Sequence, residues 1–254
     1  MTATTEDDFL GGRLRIRQPA NGYRAGIDPV LLAASVPARP GDSVLDLGTG
    51  TGVALFCLMA RVAGLDAAGL DRQAALADLA AENAAANDLK ADIVVGDVAA
   101  LPPRLRARVF DHVIANPPFF DRRRGSPADT PQREGGRGLE TPIGAWLDTA
   151  ARRLKPGGSF SIIQRTEQLP ECLRHLDDRF GDVSVLPVAA RGGRPAKLVI
   201  VQARKGANGP FRLLPPFIMH TGSHHLADGD DFSPAATAIL RNAAPLDFAA
   251  LTNS

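Results

Sequence analysis

Ser43-Val44-Leu45-Asp46-Leu47-Gly48-Thr49-Gly50-Thr51-Gly52 is the stretch on which the reading of this chain turns. Its first five residues form a short, mostly apolar run, which predicts a buried strand, and the alternate glycines that follow predict a tight turn. The apolar residues from Val53 to Arg61 then continue as a helix. Strand, glycine turn and helix in that order open a βαβ unit, the building block of a parallel sheet with helices on both faces.

The alternation repeats outward from there. Ala67 to Leu70 predicts a second strand and the alanine-rich Gln73 to Asn87 a second helix. Ile93-Val94-Val95 and Val109 to Ala115 predict further strands. Thr141 to Leu154 predicts an amphipathic helix stopped by Lys155-Pro156-Gly157-Gly158, and Phe160 to Gln164 a buried strand. Leu169 to Phe180 reads as a helix. Only a turn around Arg191-Gly192-Gly193-Arg194 separates the last two apolar runs, Val183 to Val188 and Lys197 to Ala203. So short a link holds no crossover helix, which makes that pair antiparallel. The expectation is a Rossmann-like α/β fold with a seven-stranded mixed sheet. Upstream, Leu14 to Gln18 reads as a strand, and Asp28 as the cap of a helix from Pro29 to Val36. The chain divides into an N-terminal segment (1–40), a core (41–205) and a tail (206–254) rich in proline, glycine and polar residues, whose order the sequence leaves open.

Three acids, Asp46, Asp71 and Asp97, follow successive predicted strands, at the carboxyl edge where an open α/β sheet binds its ligand. Gly48, Gly50 and Gly52 with Thr49 would bring backbone close to that ligand. Asp71 follows Gly50 at about the spacing at which an acid meets ribose hydroxyls. Asp97 could accept from an adenine amine, and Asp46 could hold a charged amine. Carboxylates so placed serve a pyrophosphate badly, and Gly-x-Gly-x-Gly is not the dinucleotide fingerprint. A zwitterionic cofactor bearing a sulfonium, S-adenosyl-L-methionine, fits better. The plainer alternative for Asp71 and Asp97 is capping of the helices after them.

Asn116-Pro117-Pro118-Phe119 ends the fourth strand of the core. The lone pair of an exocyclic amine is delocalised into its ring. Hydrogen bonds from that amine to the Asn116 side-chain oxygen and the Pro117 carbonyl would polarise it and aim it at a methyl group. Pro117 and Pro118 fix φ and carry no N–H, so they hold those acceptors rigid. Phe119 offers a ring for stacking a flipped base. The alternative is an ordinary strand-ending turn.

These motifs together resemble the amino-methyltransferases of the class I fold. Asn21-Gly22-Tyr23-Arg24 with Ile27-Asp28 and Leu31-Leu32-Ala33, Thr130-Pro131-Gln132-Arg133-Glu134, and Pro195-Ala196-Lys197-Leu198-Val199 leading to Arg204-Lys205-Gly206 resemble more closely the bacterial tRNA(Val) adenine-N6 methyltransferases of the small methyltransferase group. The resemblance spans about Leu10 to Gly209. It implies that Tyr23 to Leu32, with Asp28, folds over the cofactor, that the Asn-Pro-Pro-aromatic motif receives an adenine, and that the substrate is tRNA. The family's aromatic is often tyrosine, whereas here it is Phe119. The Asn-Pro-Pro-Phe form also resembles guanine-N2 methyltransferases of ribosomal RNA, and protein glutamine-amide methyltransferases use similar logic. A binding module with lapsed catalysis would not need Asp46, Asp71, Asp97 and Asn116 together.

Composition narrows the classes. With 254 residues, 44% of them hydrophobic, the chain can fill the core of one α/β domain with accessories or of two small domains. A net charge of +1 does not mark a dedicated nucleic-acid binder. Arginines nonetheless crowd 122–137, where Arg133 and Arg137, beside Phe120, could hold RNA phosphates or form a solvated loop. A second basic set is Arg191, Arg194, Lys197, Arg204 and Lys205. No apolar run is long enough to span a bilayer, and residues 1–8 have no apolar signal core. Cys57 and Cys172 lack ligand spacing and read as buried reduced thiols of a cytoplasmic protein. His220, His224 and His225 come without carboxylate or cysteine support, so no metal is expected. Trp146 reads as core.

Overall fold

The computed structural model describes residues 3–22, 24–118, 141–222 and 231–252. Its centre is a sheet in which five strands run parallel: β3 (Ser43–Leu47), β4 (Asp66–Asp71), β5 (Ala91–Val95), β6 (Phe110–Ala115) and β7 (Leu154–Arg165). β9 (Leu198–Lys205) lies antiparallel between β7 and β8 (Phe180–Ala189). In space the order is β5-β4-β3-β6-β7-β9-β8, so the winding reverses at β3 and β6. β10 (Arg212–Leu213) and β11 (Phe217–Ile218) add in parallel to β8, which makes nine strands rather than the seven expected. β1 (Thr4–Phe9) and β2 (Leu14–Pro19) form a separate antiparallel hairpin.

Period-two alternation divides the strands between two apolar layers. On one face Val44, Ile114, Ile163 and Ile200 pack with α1 (Asp28–Ser35), α2 (Val53–Arg61), the buried side of α3 (Ala74–Ala86) and the hairpin. On the other, Leu45, Leu47, Val113, Ile162 and Val201 pack with the short α4 (Pro103–Arg106), α5 (Ile143–Arg153) and α6 (Leu169–His175). Strands covered on both faces read as continuous apolar runs, which is why β3 and β6 were visible in the sequence.

Three local expectations are corrected. Asp28 is the first residue of α1 and not its cap; Ile27 holds that position with no side-chain hydrogen bond. The helix from Leu169 stops at His175, because Asp177 accepts from the Arg179 N–H at 3.0 Å and turns the chain into β8 at Phe180. Lys155 to Gly158 lies inside β7 as an irregularity. Phe110 pairs with Leu154 and His112 with Ser159, and Gly157 takes φ +76°.

The tail packs into the first apolar layer. Leu214, Phe217 and Met219 are buried there, as are Ala236 and Ile239 of α7 (Pro234–Asn242) and Phe248 at the start of α8 (Phe248–Thr252). The Leu246 N–H donates to the Ala34 carbonyl at 2.8 Å, tying the tail to α1. The Arg191 side chain is buried and pairs with Asp231, so this member of the second basic set is structural.

Candidate active site

The carboxyl ends of β5, β4, β3 and β6 stand side by side at the reversal of the sheet, and each delivers one polar residue: Asp97, Asp71, Asp46 and Asn116. Between β3 and α2 the chain turns through Gly48, Gly50 and Gly52, all at positive φ. A Cβ on Gly48 would lie 2.5 Å from the Trp146 ring, so the turn packs hard against α5. A Cβ on Gly50 would meet nothing within 4 Å, which leaves that backbone open to a ligand.

Asp46 is 1% exposed, and its carboxylate accepts from the Thr49 hydroxyl at 2.8 Å. Burial pushes its pKa up to about 7, opposed by the Thr49 hydrogen bond and helped by the charge of Asp71. A buried carboxyl poised in this way favours a cation beside it. Asp71 is also buried and accepts from the Gly50 and Gln73 N–H groups, each at 2.9 Å. It thus clamps the glycine turn to the start of α3 and keeps lone pairs for a further donor. Asp97 accepts from the Ala99 N–H at 2.7 Å. Neither acid caps the helix after it, since Gln73 and Pro102 hold those positions with no side-chain hydrogen bond, and neither is exhausted by its local bonds.

Asp46, Gly48, Thr49, Gly50, Thr51 and Asn116 line one pocket with Gln18, Ala25 and Pro29 from the N-terminal segment. Asp71 and Asp97 do not line it. The segment is held over the pocket by side chains that the sequence did not single out. Gln18, 2% exposed, accepts from the Ala25 N–H at 2.8 Å and donates to the Ala25 carbonyl and to Asp7. Arg24 pairs with Asp7 at 2.5 Å. Asn83 of α3, fully buried, accepts from the Arg17 N–H and donates to the carbonyls of Arg17 and Thr51, joining the hairpin to the glycine turn. Burial raises the Asp28 carboxyl pKa, opposed by the Arg165 charge at the end of β7.

Asn116 lies just past β6, and its Oδ1 is buried without a partner among the described residues. The Pro117 carbonyl accepts from the side chain of Gln164 at 3.2 Å. Tyr23, Phe119, Phe120, Arg133 and Arg137 lie outside the described residues. Trp146 is 7% exposed, packs in the second apolar layer and donates to the Thr141 carbonyl.

A buried acid that prefers a cation, a glycine turn with open backbone and an orphaned amide oxygen suit a zwitterionic sulfonium donor. This fold and site define an S-adenosyl-L-methionine-dependent methyltransferase of class I. Residues 25–191 match the methyltransferase small domain family. The chain is 31% identical over 196 residues to the tRNA1(Val) (adenine(37)-N6)-methyltransferase of Porphyromonas gingivalis, covering 71% of this chain and 76% of that protein. It is 31% identical over 190 residues to the enzyme of the same name from Dickeya chrysanthemi, covering 72% and 73%. A predicted O-methyltransferase from Agrobacterium tumefaciens superimposes with a TM-score of 0.70 at 26% identity, covering 87% of this chain and 98% of that one. A 16S rRNA N2 G1207 methyltransferase from T. thermophilus, at 22% identity and a TM-score of 0.55 over 80% of this chain and 50% of that one, shares the fold. The chain belongs to the methyltransferase small domain family, in the group of the bacterial tRNA1(Val) (adenine(37)-N6)-methyltransferases. It is an S-adenosyl-L-methionine-dependent N-methyltransferase. Among the described residues, no helix is long and apolar enough to cross a membrane.

Proposed function

We propose that this enzyme methylates an exocyclic amine of RNA, adenine N6 in tRNA, and that Asn116 and Pro117 form the acceptor clamp. One observation carries the reading. Asn116 lines the pocket that the glycine turn also lines, and its Oδ1 is a buried acceptor without a partner among the described residues. A buried acceptor left unpaired costs about 1–3 kcal/mol, a cost relieved when a donor arrives. An aromatic amine brings two N–H donors on one atom. One would go to Asn116 and the other to the second lone pair of the Pro117 carbonyl, which polarises the N–H bonds and favours a pyramidal nitrogen whose lone pair is less delocalised into the ring.

Asp46, Asp71, Asp97 and the 48–52 turn would hold the donor, with Asp28 and the 20–27 segment covering it. The donor supplies an electrophilic methyl group on a cationic sulfur. The nitrogen takes that methyl group, the sulfur leaves as a neutral thioether, and the extra proton on nitrogen passes to solvent. Asn116 and Pro117 accept hydrogen bonds throughout and take no proton. The tRNA assignment rests on the names of the relatives. An alcohol acceptor offers one O–H to two acceptors, which suits this clamp less well than an amine does.

Transfer of labelled methyl groups to total RNA and to protein from a matching extract, followed by nucleoside analysis, tests the reading. N6-methyladenosine in the tRNA fraction is expected. Label in protein alone, or in N2-methylguanosine, would replace the substrate.

A further inference from the structure

Gln164 sits near the end of β7 and is 2% exposed. It shares a strand face with Phe160 and Ile162, whose side chains pack with α5, so it approaches the β6 end from the layer opposite Asn116. Its Nε2 donates to the Pro117 carbonyl at 3.2 Å, while its Oε1 is buried without a partner among the described residues. Turned round, the amide would set two oxygens against each other, so the N–H is the group that faces Pro117.

That carbonyl needs a holder. The pairing of β6 with β3 and with β7 ends at Ala115. Pro117 and Pro118 carry no N–H, so neither can anchor this stretch by donating to a neighbour. The Pro117 ring fixes φ and the Pro118 ring confines ψ of Pro117 to the extended range, and within that range the direction of the carbonyl is set by what bonds the oxygen. Among the described residues the donor to that oxygen is Gln164.

We propose that Gln164 is a positioning residue of the acceptor site. By occupying one lone pair of the Pro117 oxygen it fixes the peptide so that the second lone pair faces the acceptor amine. This rests on the Asn116–Pro117 clamp proposed above. Gln164 does not line the pocket that Asn116 lines, and it acts through that carbonyl.

Two variants separate the donated hydrogen bond from packing. Gln164→Leu removes the amide, and Gln164→Glu keeps the shape but loses the donor when ionised. A third, Ile162→Ala, is a packing control from the same strand, which lowers thermal stability without touching the clamp. Methyl transfer is measured on whichever fraction, RNA or protein, the unaltered enzyme labels, with donor affinity read by calorimetry. At pH 8 Gln164→Leu should lose kcat by about 10- to 100-fold, with KM for the acceptor within about threefold and donor affinity unchanged. Gln164→Glu, which donates only while protonated, should lose kcat as pH rises through the titration of its carboxyl. Ile162→Ala should keep its kcat below its melting temperature. Unaltered kcat in Gln164→Leu, or a fall matched by Ile162→Ala at equal loss of stability, would overturn the proposal. Label in protein alone would displace the RNA reading while leaving this comparison intact.

Discussion

Asp46 concentrates the electrostatics of the site in one carboxyl. Its pKa, raised by burial from 3.8 to about 7, means the ligand-free fold loses stability as pH climbs through that interval. A cationic donor favours the ionised form and reverses the preference. Donor affinity should therefore rise with pH between about 6 and 8, with a proton released on binding, and Asp46→Asn should flatten the dependence. Calorimetry in buffers of different ionisation enthalpy reads that proton directly, and a pH-independent affinity in the unaltered protein would contradict the assignment. At this scale the sequence was legible where the chemistry is local. Asp46, the glycines and Asn116 fall in short motifs whose residue types announce their use. Gln18, Asn83 and Gln164 did not announce themselves, because each bonds backbone on an element remote in sequence or across a turn. The signal they leave is a polar residue at an inward position of an otherwise apolar pattern: Gln18 after Leu14 and Ile16, Gln164 after Phe160 and Ile162.

Elements were readable in proportion to their burial. β3 matches its expected bounds, since all five residues are buried and the run is uninterrupted. β1 was missed because Thr4 to Phe9 is polar at all but its last residue and four of its six residues are exposed. It is a strand because of β2: Glu6 stands opposite Arg17 and Asp8 opposite Arg15, so the acidic run is matched by basic partners across the hairpin. β10 and β11, two residues each, are too short to show a period. The hairpin in turn depends on α3. Asn83 and Asn87, one turn apart, exchange hydrogen bonds with the backbone of Arg17 and Arg15, doing for the edge of β2 what a neighbouring strand would do. Asn83→Ala should cost about 1–3 kcal/mol, because it strands the buried Thr51 carbonyl and removes both bonds to the Arg17 backbone, and it should weaken donor binding by loosening the turn. Urea denaturation alongside calorimetry checks both. A stable variant with normal affinity would mean that the hairpin does not support the turn.

Across the whole molecule the two chain ends close over the same apolar layer. Leu10 and Leu14 from the start, and Ile239, Leu246 and Phe248 from the end, share one core with α1 and α2. A Cβ on Gly11 would come within 2.8 Å of the Arg241 carbonyl, which measures how tightly the ends approach. The tail's composition hid this, because prolines and glycines interrupt its apolar residues and leave no long periodic run to announce a packed element. Ending the chain at Lys205 would expose the buried sites now covered by Leu214, Phe217, Met219, Ile239, Leu246 and Phe248. At roughly 1.5–3 kcal/mol for each large side chain, the loss rivals the whole stability of a domain. The truncated protein should show no cooperative unfolding transition in calorimetry, and a sharp transition near that of the full chain would contradict the packing described. The N-terminal half of this closure also covers the pocket, so the tail supports the site while none of its described residues lines it.

The central claim is a division of labour at the end of β6, with Asn116 serving the acceptor and the neighbouring strand ends serving the donor. Asn116→Ala, assayed for methyl transfer to RNA and titrated with S-adenosyl-L-methionine in the same preparation, tests it most directly. Turnover should fall by about 100-fold or more, while donor affinity stays within about threefold of the unaltered enzyme. Loss of donor affinity in step with turnover, or turnover that survives, would contradict it.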